Sequence, residues 1–169
     1  MVTVAKWIAV VAVLIYLGSL ALLYFKQRAM LFPSPPVGRT APAAAGLPEA
    51  EEHVLTSADG ERIIVWHLAA RPGHRVVLYF PGNGDALAYL AGRFRNIASD
   101  GTGVIALSYR GYAGSSGSPS ETGILADAAA MYAFAKTLYE PGPLVLRGHL
   151  LGPGLAIAPA AAPPLCRLH

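Results

Sequence analysis

Gly148-His149-Leu150-Leu151-Gly152 is the segment whose spacing is best suited to chemistry. It follows an apolar run, Leu144-Val145-Leu146, and precedes small residues. Two glycines with three residues between them let backbones approach at a sharp strand-to-helix turn, which forces an unfavourable conformation on the central residue. In G-x-S-x-G that central residue is a serine exposed for attack on a carbonyl. Here it is Leu150, which has no lone pair to attack with and no proton for a base to take. A bare G-x-x-x-G is unspecific, and its position after a strand and two earlier strand–helix units gives it weight.

Other reactive side chains fall into poorer settings. His53, His67 and His74 lie on or beside early strands without metal-ligand spacing. Ser115, Ser116 and Ser118 occupy a loop, where serines serve as turn and cap residues. Asp127 falls within a helical stretch and reads as solvated or locally bonded. The Gly111–Gly117 loop matches neither G-x-x-x-x-G-K-[ST] nor G-x-G-x-x-G. A single cysteine, Cys166, excludes an internal disulfide and a multi-cysteine zinc site. No metal and no cofactor are expected. The net charge of +3 comes from scattered residues and gives nucleic-acid binding no support.

The elements that must position such a turn are legible from periodicity. His53–Thr56 and Arg62–Leu68 read as strands around the hairpin signal Asp59-Gly60. Arg75–Phe80 and Gly103–Tyr109 are short apolar runs of the kind buried on both faces of a sheet. Between them, Leu87, Leu90, Phe94 and Ile97 recur at helical spacing. A second helix is expected to start with Ser118 as N-cap, Pro119 in the first turn and Glu121 at capping-box spacing. It should run to about Tyr139, where Pro141-Gly142-Pro143 stops it. Strands alternating with helices indicate an α/β fold with a mostly parallel sheet, with an antiparallel hairpin at one edge.

Ahead of this domain, Trp7–Phe25 is an uncharged run of nineteen residues. About 20 apolar residues span a bilayer core as a helix. Lys6, Lys26 and Arg28 flank the run, Trp7, Tyr24 and Phe25 sit near its ends, and no small-residue cleavage site follows. It reads as an uncleaved single-pass anchor, with the bilayer as partner of residues 7–25. The flanking charges are too balanced to set its orientation, so the side of the folded domain stays open. A charged fraction of 14%, against about a quarter in soluble domains, agrees with an anchor. The division expected is 1–29 as transmembrane anchor, 30–50 as an extended linker rich in Pro and Ala, and 51–169 as the folded domain.

Three stretches, LYFPGNGDALAYL (Leu78–Leu90), SYRGYAGSSGSPSE (Ser108–Glu121) and LVLRGHLLGPGLAIA (Leu144–Ala158), carry a family likeness. From about His53 to Ala162 the chain resembles the amino-terminal half of membrane-anchored α/β hydrolases of the serine-hydrolase superfamily. The resemblance implies a partial α/β-hydrolase fold and an ancestral activity on an ester, thioester or amide. Pro81-Gly82-Asn83-Gly84 then corresponds to the turn whose backbone N–H, placed at Asn83, lines the oxyanion hole. The second donor would be the N–H of Leu151. Gly148, His149 and Gly152 build the elbow, with His149 in a packing role. Arg110-Gly111-Tyr112 would shape the floor of the site.

The departures from that family set the functional expectation. Leu150 stands where the family has serine. Pro159 falls where it has a regular helix, at a cost of about 3 kcal/mol or more. The triad acid and histidine would follow the elbow, and the sequence ends at His169, which reads as a frayed terminus. The expectation is a truncated, inactive member, an acyl substrate being a partner only if it is active. An early end would leave Leu144–Leu146 as an exposed apolar edge and make the domain poorly stable. Two alternatives stay open: a non-catalytic interaction module using that edge, and an active hydrolase with a sequence error at Leu150.

Overall fold

A computed structural model describes residues 2–149 of the chain. Two compact units divide at Pro33–Ser34. The first is a helix, α1 (Val2–Leu31). Within it, Thr3–Gln27 is long and apolar enough to cross a membrane, with a mean hydropathy of 2.5. It is the only such helix among the described residues.

The second unit holds β1 (Glu51–Thr56), β2 (Arg62–Leu68), β3 (Val76–Phe80), α2 (Leu87–Ala98), β4 (Gly103–Leu107), α3 (Glu121–Leu138) and β5 (Leu144–Gly148). Its sheet runs β1-β2-β4-β3-β5. The β1–β2 hairpin and the β2–β4 pair are antiparallel, while β3 pairs in parallel with both β4 and β5. Gly60 turns the hairpin at a positive φ of 86°, as a tight turn with glycine in this position requires. Every residue of β3 and β4 is buried, which is why both read as unbroken apolar runs.

One face of the sheet presents Ile64, Trp66, Val77, Tyr79, Val104 and Ala106 to Leu87, Leu90, Ala91 and Phe94 of α2. Burying a side chain such as Leu87 or Phe94 contributes about 1.5–3 kcal/mol. The rings of Tyr79 and Phe94 meet edge-on at 5.2 Å. The helix α3 packs against β1 and β4 and buries Ile124, Asp127, Ala128, Met131 and Ala135.

Two expectations need correction. Residues 34–50 are not an extended linker. They turn repeatedly, Pro42 and Leu47 are buried, and Leu47 joins the α2-side core. Arg39 pairs with Glu52 at 2.7 Å, so this segment belongs to the folded unit. The cap of α3 is Ser120 rather than Ser118. Ser120 is extended (φ −152°, ψ 155°), and its hydroxyl accepts from the N–H of Gly123 at 3.2 Å. Pro119 therefore precedes the cap, and Glu121 opens the helix, where a negative charge suits the dipole.

Candidate active site

The carboxyl ends of β3 and β5 lie side by side, with Phe80 opposite Gly148. The backbone N–H of His149 continues the ladder by donating to the Phe80 carbonyl at 3.0 Å. The entry to the Gly148–Gly152 segment is thereby set against the turn that follows β3. That turn is held from several directions. Asp85 accepts from the Gly82 N–H at 2.9 Å. The Tyr109 hydroxyl donates to the Pro81 carbonyl at 2.7 Å, and the Tyr112 hydroxyl to the Asn83 carbonyl at 2.7 Å.

Burial raises the pKa of both phenols, that of Tyr112 to about 12 and that of Tyr109 further. They therefore remain protonated donors at any physiological pH. The Asp85 carboxylate is also 3.3 Å from Nδ1 of His149. His149 is thus tied to the turn by both backbone and side chain.

The Arg110 side chain is engaged by two carboxylates. Its buried guanidinium forms two bonds to Asp127, from Nε at 2.9 Å and Nη2 at 2.6 Å. It forms two more to Asp59, from Nη1 at 2.6 Å and Nη2 at 3.1 Å. The bonds to Asp127 and then Asp59 hold its pKa above the ordinary value. The side chain fastens the hairpin turn to α3, and Asp127 is fully buried rather than solvated. Gly111 turns the loop at a φ of 77°, with Pro119 Cδ 2.9 Å from where a Cβ would stand. Of the three loop residues, Tyr112 is the one bonded to the turn after β3.

Ser115 and Ser116 also bond structurally. Ser115 accepts from Ile64 N–H and donates to the Ser108 carbonyl, and Ser116 accepts from Arg62 N–H and bonds Glu61. Leu150, Leu151 and Gly152, with Pro153, Pro159, Cys166 and His169, lie outside the described residues.

Two groupings were missed from the sequence. Asp85 carried no motif of its own, and its role follows only from the turn's closure onto the Gly82 N–H. Glu51, His53 and His67 form the second, a ligand atom from each lying within 4.8 Å of the others. His74 stands elsewhere, beside Gly101.

No family model matches the chain. Among solved structures, an α/β hydrolase from Vibrio vulnificus superposes with a TM-score of 0.62 at 24% identity, over 75% of this chain and 46% of that one. A Pyrococcus furiosus esterase superposes with a TM-score of 0.63 at 20% identity, over 80% and 55%. The chain has an α/β-hydrolase fold.

Sequence relatives agree with that fold. A lysophosphatidylserine lipase, ABHD12 of Danio rerio, is 31% identical over 139 residues, 68% of this chain and 36% of that protein. An uncharacterised protein of Mycobacterium tuberculosis is 29% identical over 161 residues, 93% of this chain and 57% of that protein. The chain thus spans between about a third and just over half the length of these two relatives. The ladder bond from His149 joins the end of β5 to the end of β3, where the turn at Pro81–Gly84 begins.

Proposed function

We propose that this chain is a membrane-anchored α/β-hydrolase-family protein whose acyl site cannot form an acyl-enzyme, because Leu150 occupies the nucleophile position. The observation that carries this reading is the junction of two strand ends, where His149 N–H meets the Phe80 carbonyl at 3.0 Å. It joins the end of β3, which leads into the turn containing Asn83, to the end of β5, from which the sequence runs on to Leu150. The backbone N–H groups of Asn83 and Leu151 are the oxyanion donors in this scheme, and they suit the charge that develops on a carbonyl under attack. Leucine at the centre supplies no nucleophile, so those donors face a reaction that does not start.

The site class is an ester, thioester or amide of an acyl group. The relatives named lysophosphatidylserine lipase favour an amphiphilic acyl ester. A bilayer partner for residues 7–25 would hold the domain where such a substrate concentrates.

The test is hydrolysis of p-nitrophenyl butyrate by the full chain in detergent, with a Leu150→Ser variant alongside. No turnover by the unaltered chain above a heat-denatured control supports the reading. Turnover only by Leu150→Ser makes Leu150 the sole defect, whereas turnover by the unaltered chain overturns the proposal. For the anchor, the chain is expected to stay with the membrane fraction at alkaline pH. Its release there would overturn the anchoring.

A further inference from the structure

At the outer edge of the sheet, away from the elbow, β1 and β2 bring two imidazoles and a carboxylate together on one face. Glu51 stands directly opposite His67 in the antiparallel register, and His53 is two residues on from Glu51. Residues two apart on a strand share a face, so the three side chains project to the same side. This is the side on which Phe134 of α3 lies 4.8 Å from the His53 ring.

Both imidazoles are held in place. His67 is buried, and its Nε2 meets the Tyr139 hydroxyl at 2.7 Å. That hydroxyl also accepts from the Ala70 N–H at 3.2 Å, and its second lone pair can accept from the Nε2–H tautomer of His67. Nδ1 is then the nitrogen of His67 left for a ligand contact. The His53 ring packs against Phe134, and its Nε2 is buried without a hydrogen-bond partner. Glu51 Oε2 is 3.4 Å from that nitrogen but misaligned for a hydrogen bond. A buried, unpartnered ring nitrogen calls for an explanation, and an ion is one that also accounts for the nearby carboxylate.

We propose that Glu51, His53 and His67 hold a divalent transition-metal ion at the β1–β2 edge. Two imidazoles and one carboxylate form a donor set that suits zinc and its neighbours rather than calcium or magnesium. Their mutual spacing within 4.8 Å is compatible with a common ion about 2.0–2.2 Å from each donor, after small side-chain adjustments. In the bound form the Nε2–H of His67 donates to Tyr139, as ligating imidazoles usually donate their second N–H to an outer partner. Glu51 is exposed, so the ion is reachable from solvent and keeps room for water. The site draws nothing from the elbow, and its existence does not depend on the hydrolase reading.

The test is titration of the full chain in detergent with Co2+, followed by its visible absorption bands and their displacement by Zn2+. One saturable equivalent is expected. The bands should disappear in Glu51→Gln/His53→Asn and persist in His74→Gln. The single Glu51→Gln variant, altered at an exposed side chain, guards against loss through unfolding and should bind about tenfold or more weakly. Tyr139→Phe, which removes only the outer partner, should weaken binding about 10- to 100-fold. Absence of a saturable band, or unchanged binding in the double variant, would overturn the proposal.

Discussion

Asp127, fully buried on α3, holds the Arg110 guanidinium through two bonds of 2.9 and 2.6 Å, and the same guanidinium reaches back to Asp59 at the hairpin turn. Three segments far apart in sequence meet at one cation. Removing one partner of a buried pair leaves an uncompensated charge, which costs about 3–5 kcal/mol. Asp127→Asn is therefore expected to lower the melting temperature sharply. Asp59→Asn, at a solvent-exposed carboxylate, should lower it far less. Equal losses in the two variants would contradict the separate roles assigned to them.

The same contact gives acid sensitivity. Its hydrogen bond to Arg110 is the chief cause that holds the Asp59 carboxyl below the usual 3.8. A carboxyl depressed by folding stabilises the native state above its unfolded value, and that stability is lost as pH falls through the folded value. Asp100, lowered by its bonds to Thr102, acts in the same direction. Thermal stability should thus decline below about pH 3.8. The decline should be shallower in Asp59→Asn/Asp100→Asn, as melting curves across an acid series would record.

Gly103 opens β4 where the Ala70 backbone crosses it. A Cβ at residue 103 would come within 2.8 Å of Ala70 N and Cβ. Neither neighbour is a flexible side-chain tip, so strand and connection would have to separate. Gly103→Ala should cost about 1–3 kcal/mol, as other overpacked sites do. Gly142→Ala, with open space around it, serves as the neutral comparison by chemical denaturation.

The Tyr112–Asn83 bond links the Arg110–Tyr112 loop to the turn that follows β3. Tyr112→Phe keeps the ring and leaves the Asn83 carbonyl without that donor. The expected loss is about 0.5–1.5 kcal/mol, measured by urea unfolding. A loss near zero would mean that water replaces the hydroxyl and that the other bonds of the turn suffice to hold it.

The fold was legible because its signals are local or strongly periodic. Unbroken apolar runs gave β3 and β4, the spacing of Leu87, Leu90 and Phe94 gave α2, and Asp59-Gly60 gave the hairpin. Residues 34–50 were misread because proline and alanine carry no periodicity, and Leu47 enters the core as a single side chain from an irregular segment. The Arg110 cluster was hidden because its partners lie 17 and 51 residues away. The Glu51–His53–His67 grouping depends on the register: Glu51 falls opposite His67 because Ala58, Asp59 and Gly60 all lie in the turn, whereas a two-residue Asp59-Gly60 turn would pair Glu51 with Leu68. Spacing along the chain conceals it, since two of its members share one strand and the third arrives by pairing.

The start of α3 shows how a capping pattern is decided by its surroundings. Ser118 and Ser120 both precede the helix, and Ser118 has Pro119 and Glu121 at favourable offsets. Which serine caps depends on which hydroxyl reaches the N–H three residues on, and that is Ser120 to Gly123. Gly123 must remain glycine for a separate reason, because a Cβ there would overlap the Arg110 guanidinium. The helix is therefore brought in close to Arg110, and the cap falls at residue 120. Ser120→Ala should cost about 1 kcal/mol through loss of the cap. Ser118→Ala, at an exposed loop position, should stay within about 0.5 kcal/mol of the unaltered chain. The reverse order in a thermal-melt comparison would restore Ser118 as the cap and place the first turn of α3 two residues earlier.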